Sequence, residues 1–181
     1  MVWTRRRYLP IRVRLVTPIA RRGRRPYDRS VTRGTLTAAE LVVWRTLLRA
    51  EAQISRRLQA DLLARHDLPL GSYEVLMHLG EAPGGRLRMN DLADRVLLSR
   101  SGLTRLVDRM QRDGLVNRRP CPYDARGMYA ALTSAGRDRL AEATPTYRQG
   151  VRDHVLSRLD EPDLRALGAI LDKLADEEIP A

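Results

Sequence analysis

Six polar side chains between residues 100 and 112 are spaced to act together: Arg100, Ser101, Thr104, Arg105, Arg109 and Arg112. Their chemistry is recognition, not turnover. A guanidinium donates two parallel hydrogen bonds to guanine, Ser and Thr bond bases or phosphates, and a Thr methyl touches the thymine methyl. The same stretch carries Leu103, Leu106, Val107 and Met110 at i, i+3, i+4 and i+7, so a helix here has one apolar face and leaves the six outside it. Arg100, Ser101, Thr104 and Arg105 fall in the part of such a helix that reaches base edges in a major groove; Arg109 and Arg112 lie where phosphates pass. Asp108 would repel the backbone and is expected to bond a neighbouring arginine.

A second basic group follows. Arg118 and Arg126 belong to a predicted hairpin, and Arg126 at its tip can reach a minor groove or its phosphates. Asp124, two residues earlier, can hold that guanidinium by paired hydrogen bonds. Residues 86–126 hold ten arginines and five acids.

Little here suggests catalysis. The three histidines, His66, His78 and His154, are scattered, there is no glycine-rich phosphate loop, and no Cys/His cluster has metal-ligand spacing. No enzyme activity, cofactor or metal is expected. The single cysteine, Cys121, forms no internal disulfide and suits a reducing cytosol. Arg118, Arg119 and Arg126 would favour its thiolate, but the plainer expectation is an incidental exposed thiol.

The elements that must position these residues can be read around them. A capping box of Thr37 and Glu40, with Leu36 and Leu41 as its staple, opens a helix at about 38–65, on which Leu41, Trp44, Leu48, Ile54, Leu58 and Leu62 recur. A second helix is predicted over 70–79 with Tyr73, Leu76, Met77 and Leu79, then a loop over 81–85. Asn90 is expected to cap a short third helix and Ser99 a fourth over 100–112, ended by Gly114. Two strands, Leu115–Arg119 and Met128–Leu132, flank a turn-rich tip. Thr133 caps a helix reaching about 158 that Pro145 should kink or split, with Thr144 as a second cap. Asp160 caps a last helix whose Leu164, Leu167, Ile170, Leu171 and Leu174 share a face. The fold class is mainly α: a winged helix-turn-helix with a small β-hairpin wing.

The 181 residues suffice for one domain, and no apolar run approaches a membrane span. The net charge of +11 points to an anionic partner, yet residues 1–35 alone hold 11 arginines and one acid. They show no lasting period and read as a disordered basic extension or a misassigned start, ahead of a phosphate-binding arm. The folded part is therefore expected at 36–178, with the DNA-reading elements at about 70–133 and further helices at about 38–65 and 134–178.

Three segments together resemble the MarR family. Leu87-Arg88-Met89-Asn90-Asp91-Leu92-Ala93-Asp94-Arg95-Val96 is similar to the start of its third helix. Ser99 through Met110 is similar to its recognition helix. Asp124-Ala125-Arg126 followed by Leu132-Thr133 matches its wing signature. The resemblance covers about 36–178 and implies a cytoplasmic, nucleoid-associated bacterial protein. It further implies a homodimer built from the N- and C-terminal helices, repression at a palindromic site in double-stranded DNA, and relief by a small ligand. Ligands in this family often lie between the dimerisation helices and the winged domain, where Trp44, Tyr73, Met77 and His78 are the candidates. Core packing accounts for these residues more simply. A small aromatic effector is the sharper reading. His66 suits a helix C-terminus and His154 an interface. The leading expectation is thus a sequence-specific transcriptional regulator. The alternative is a general DNA-binding protein driven by the basic arm.

Overall fold

The computed structural model describes residues 35–121 and 124–175; the expected extension at 1–35 lies almost wholly outside them. By its internal contacts the chain divides into two units, Met1–Arg45 and Thr46–Ala181, each taken by itself. The boundary falls within the first helix, α1, Ala38–His66.

In the first unit the capping box is present. Thr37 N donates to Glu40 Oε2 at 2.7 Å, and Glu40 N donates to Thr37 Oγ1 at 3.2 Å, so each side chain satisfies an orphan amide of the first turn. Leu36, the expected staple, remains 59% exposed. Val42, Val43 and Trp44 are also exposed.

The second unit holds the core. After α1 come α2 (Leu70–Glu81), a short 3₁₀ turn, β1 (Arg86–Arg88), α3 (Met89–Arg95), α4 (Arg100–Arg112), β2 (Val116–Cys121), β3 (Asp124–Leu132), α5 (Ser134–His154), another 3₁₀ turn and α6 (Glu161–Ala175). Leu62, Tyr73, Val75, Leu76, Leu79, Leu92, Leu103, Val107, Met110 and Val116 are buried together. Each large aliphatic among them contributes about 1.5–3 kcal/mol by leaving water. α2 begins behind Pro69 without a cap of its own, and Gln59 Oε1 of α1 accepts from Leu70 N at 2.7 Å instead. Asp160 caps α6 as expected, accepting from Asp163 N at 2.8 Å.

Several expectations are corrected. Asn90 does not cap α3: the helix begins at Met89, with Arg88 in extended conformation before it and no side-chain cap. The sheet has three strands, in the order β1-β3-β2, not two; Leu87 pairs with Ala130 and Arg88 with Tyr129. β2 extends to Cys121, and β3 begins at Asp124, four residues earlier than the pattern indicated. Pro145 does not split α5, which is continuous over 21 residues because Ala143 and Thr146 on either side are buried. Thr144 caps nothing; its hydroxyl donates to Leu140 O at 2.6 Å. α5 stops at His154, short of 158.

No helix of the described residues is long and apolar enough to cross a membrane. On α1 beyond the boundary Leu47 and Leu48 are exposed, and on α6 so are Leu167, Ile170, Leu171 and Leu174.

Candidate nucleic-acid interface

α4 has two unlike sides. Leu103, Leu106, Val107 and Met110 are at most 5% exposed, while Arg100, Ser101, Thr104, Arg105, Arg109 and Arg112 face solvent. The helix starts where Ser99 Oγ accepts from Gly102 N at 3.1 Å. α3 packs beside it, so the order helix, turn, helix is in place, and β2 follows at once.

Arg118 differs from the other arginines. From β2 it reaches back to α4, where its Nη2 donates to Asp108 Oδ1 at 2.8 Å and to Thr104 O at 3.1 Å. The neighbour expected for Asp108 is therefore Arg118, and the contact ties wing to helix. Beside it Arg88, Met89, Asn90, Thr104, Arg118, Gly127 and Met128 line an open cleft of 440 Å³ between α4 and the wing.

The opposite sheet face is basic as well. Arg86 and Arg88 lie 5.4 and 6.0 Å from the centre of the Tyr129 ring, the geometry of cation–π contacts. Sequence reasoning missed this cluster because a three-residue strand has no readable period. The Asp124–Arg126 pairing falls on side chains outside the described ones.

Cys121 is not the exposed thiol expected. It is 4% exposed; its Sγ lies 3.7 Å from Arg88 Nη2 and 3.8 Å from Tyr129 Oη. Arg88, which the sequence did not single out, is thus a guanidinium beside it. No group of His, Cys, Asp and Glu among the described residues has metal-binding geometry.

The candidate ligand residues part company. Tyr73 is 2% exposed, stacks on Tyr147 at 4.5 Å and 28°, and donates to Thr144 Oγ1 at 3.4 Å. Burial raises the pKa of Tyr73 and of Tyr147. Met77 and His78 are half-buried, and burial lowers the His78 pKa. Glu74, one turn before His78, is pushed up by the same cause. Trp44 belongs to the other unit and is 52% exposed. Tyr147 and Glu74 were not anticipated, since neither stands out by type or spacing. His66 Nε2 meets Thr146 Oγ1 at 2.7 Å, and Arg139 donates to the His66 carbonyl. His154, expected at an interface, pairs with Asp61 of its own chain at 2.7 Å.

Comparison with known proteins places this geometry in one company. A model of the MarR family matches residues 66–127. The HTH-type transcriptional repressor YetL of Bacillus subtilis is 30% identical over 115 residues, covering 62% of this chain and 69% of that protein. Two solved structures from Streptomyces coelicolor are each 34% identical. AbsC, a MarR family transcriptional regulator, superimposes with a TM-score of 0.72 over 79% of this chain and 96% of its own. Sco3205, a MarR family transcriptional regulator in complex with DNA, does so with 0.75 over 82% and 93%.

Proposed function

Because the chain belongs to the MarR family of transcriptional regulators, we propose that it acts as a homodimeric repressor, binding a palindromic operator through α4 and the wing. The observation that carries this reading is the two-sided α4, its apolar side sealed in the core and its basic side open beside a wing tied to it through Arg118. Arg100, Ser101, Thr104 and Arg105 read base edges, Arg109 and Arg112 meet phosphates, and Asp124 and Arg126 serve the wing tip. Arg118 acts from behind, by holding α4.

The exposed apolar side chains of α1 and α6 support dimerisation, since apolar faces of this extent seldom stay open to water. A two-fold dimer would set its recognition helices about one DNA turn apart. Residues 36–178 then form the working domain, in the cytoplasm of a bacterium and on its nucleoid. Relief by a small aromatic compound has its support in the Tyr73–Tyr147 stack, where a flat ring would bind by displacing one tyrosine from the other.

The test is fluorescence anisotropy with DNA from the gene's own upstream region, against scrambled DNA, across a salt series. The full chain, residues 36–181 and Arg126→Ala are compared. A preference for the upstream DNA that survives removal of the extension and weakens in Arg126→Ala is the expected result. Equal binding to both DNAs, lost with the extension, would instead mark a general DNA binder driven by its basic arm.

A further inference from the structure

Two helices of the reading unit end in the same turn with different residues at its tightest point. At the end of α4, Gly114 N donates to Gln111 O at 3.1 Å and Leu115 N to Met110 O at 2.9 Å. At the end of α3, Leu97 N donates to Asp94 O at 3.4 Å and Leu98 N to Ala93 O at 3.0 Å. This double bond pattern requires a left-handed residue just past the helix, the position that glycine fills at no steric cost. Gly114 obeys, at φ +73°, whereas Leu97 holds φ +52°. The only other non-glycine residue with positive φ among the described ones is Asp67, whose short polar side chain tolerates that conformation. A leucine there is an outlier.

Packing does not account for it. Leu97 is 91% exposed, the most open large hydrophobic side chain among the described residues. The chain therefore bears both a strained backbone and an apolar group in water at one residue, with no return from its own core. Such coincidences gather at functional sites, and the inference runs from the outlier to the function.

Its place suggests what the side chain meets. Leu97 stands two residues ahead of Ser99, the cap of α4, on the rim of the helix end that enters a groove. Exposed Arg95 and Arg100 flank it. The α3 side of this rim also carries exposed Asp94, so the part that suits polyanionic DNA is the start of α4 with Arg100. The apolar group that a major groove offers is the C5-methyl of thymine. We propose that Leu97 is a specificity-determining residue that packs against a thymine methyl at the edge of the operator half-site. This rests on the DNA-reading function proposed above.

The experiment begins with selection from random duplex DNA by the full-length protein. Anisotropy then compares the selected duplex with scrambled DNA for the unaltered chain, Leu97→Gly and Leu97→Ala, with thermal melting and sedimentation in parallel. Leu97→Gly should melt no lower than the unaltered protein, because it relieves the left-handed strain. Yet it should bind the selected duplex about fivefold more weakly, the effect of losing one apolar contact of modest area, and scrambled DNA equally well. Leu97→Ala should lose similar affinity. Replacing thymines by uracil one at a time should reproduce the loss at one position per half-site for the unaltered chain and cost Leu97→Gly nothing further there.

A selected duplex bound equally by all three proteins overturns the proposal and leaves DNA reading intact. Weaker binding by Leu97→Gly without any uracil effect overturns the methyl assignment. A change in association state in Leu97→Gly assigns the side chain to a second copy and overturns it too. Failure to enrich any sequence removes both the proposal and the reading beneath it.

Discussion

Arg118 Nη2 lies 2.8 Å from Asp108 Oδ1, across the junction between the wing and α4. The same nitrogen donates to Thr104 O, so one guanidinium holds both a side chain and the backbone of α4. The side chains are 26% and 48% exposed, which screens the ion pair and limits its worth. Arg118→Ala should lower unfolding free energy by about 1 kcal/mol in urea titration. Its larger effect should be on DNA, where a helix free to tilt loses preference for its operator over scrambled duplex. An unchanged preference would make the contact a surface pair and nothing more.

Gly136 and Gly150 both sit in α5, and their substitutions should differ sharply. A Cβ on Gly136 would lie 2.1 Å from Leu115 O, a backbone atom held by Thr133, which donates to that carbonyl at 2.9 Å. On Gly150 it would meet Leu58 Cδ2 at 2.8 Å and Asp61 Oδ2 at 3.1 Å, side-chain ends that can shift further than backbone can, although the His154 contact holds Asp61. Gly136→Ala should cost about 3 kcal/mol and Gly150→Ala about 1 kcal/mol. Thermal melting of the two variants decides this, and a reversed order would show that the α1–α5 contact is the stiffer one.

Glu74 and His78 lie one turn apart on α2, and burial disfavours the charged form of each. The folded His78 titrates below its ordinary 6.5, so the unfolded chain takes up its proton first as pH falls. Its stability is full above pH 6.5 and is lost as pH falls through the folded pKa; His78→Gln should flatten the decline of Tm in that window. Glu74 has the opposite sense. Its folded pKa lies above the ordinary 4.5, so stability is full below 4.5 and falls as pH rises through the folded pKa. Glu74→Gln should therefore raise Tm at pH 7 and lose that advantage near pH 4. Parallel Tm–pH curves for variant and parent would show that burial at α2 does not bias either titration.

The elements with long, regular signals were legible in advance. The capping box at Thr37 and Glu40, the apolar side of α4 and the caps at Ser99 and Thr133 follow from residue type and spacing within a few positions, which the core then reinforces. What escaped depended on partners distant in sequence. β1 exists because β3 pairs with it, and Arg86–Arg88 alone carries no period. Pro145 stays inside a continuous helix because the core grips α5 on both sides of it. Arg118 has the same residue type as the solvent-facing arginines of α4, and only the register of β2 against β3, which puts it opposite Ala130, turns it toward α4. Tyr147 is paired with Tyr73 from 74 residues away, a distance no motif spans.

The exposed arginines of α4 offer a division of labour that mutation can separate. Arg105 lies in the first half of the helix and Arg112 in its last turn, both open to solvent. A bidentate contact to a base should matter only on the correct sequence, so Arg105→Ala should cost about 1–3 kcal/mol on the operator and little on scrambled DNA. A phosphate contact is indifferent to sequence. Arg112→Ala should weaken both duplexes alike and reduce the slope of log affinity against log salt by about 0.9. Neither variant touches the Asp108–Arg118 tie through its side chain, although Arg112 Nε lies 3.4 Å from the Asp108 carbonyl, so melting temperature must be measured beside affinity. If Arg105→Ala lowered the salt slope and spared the preference, the base-reading part of the helix would have to lie closer to its cap, at Arg100 and Ser101.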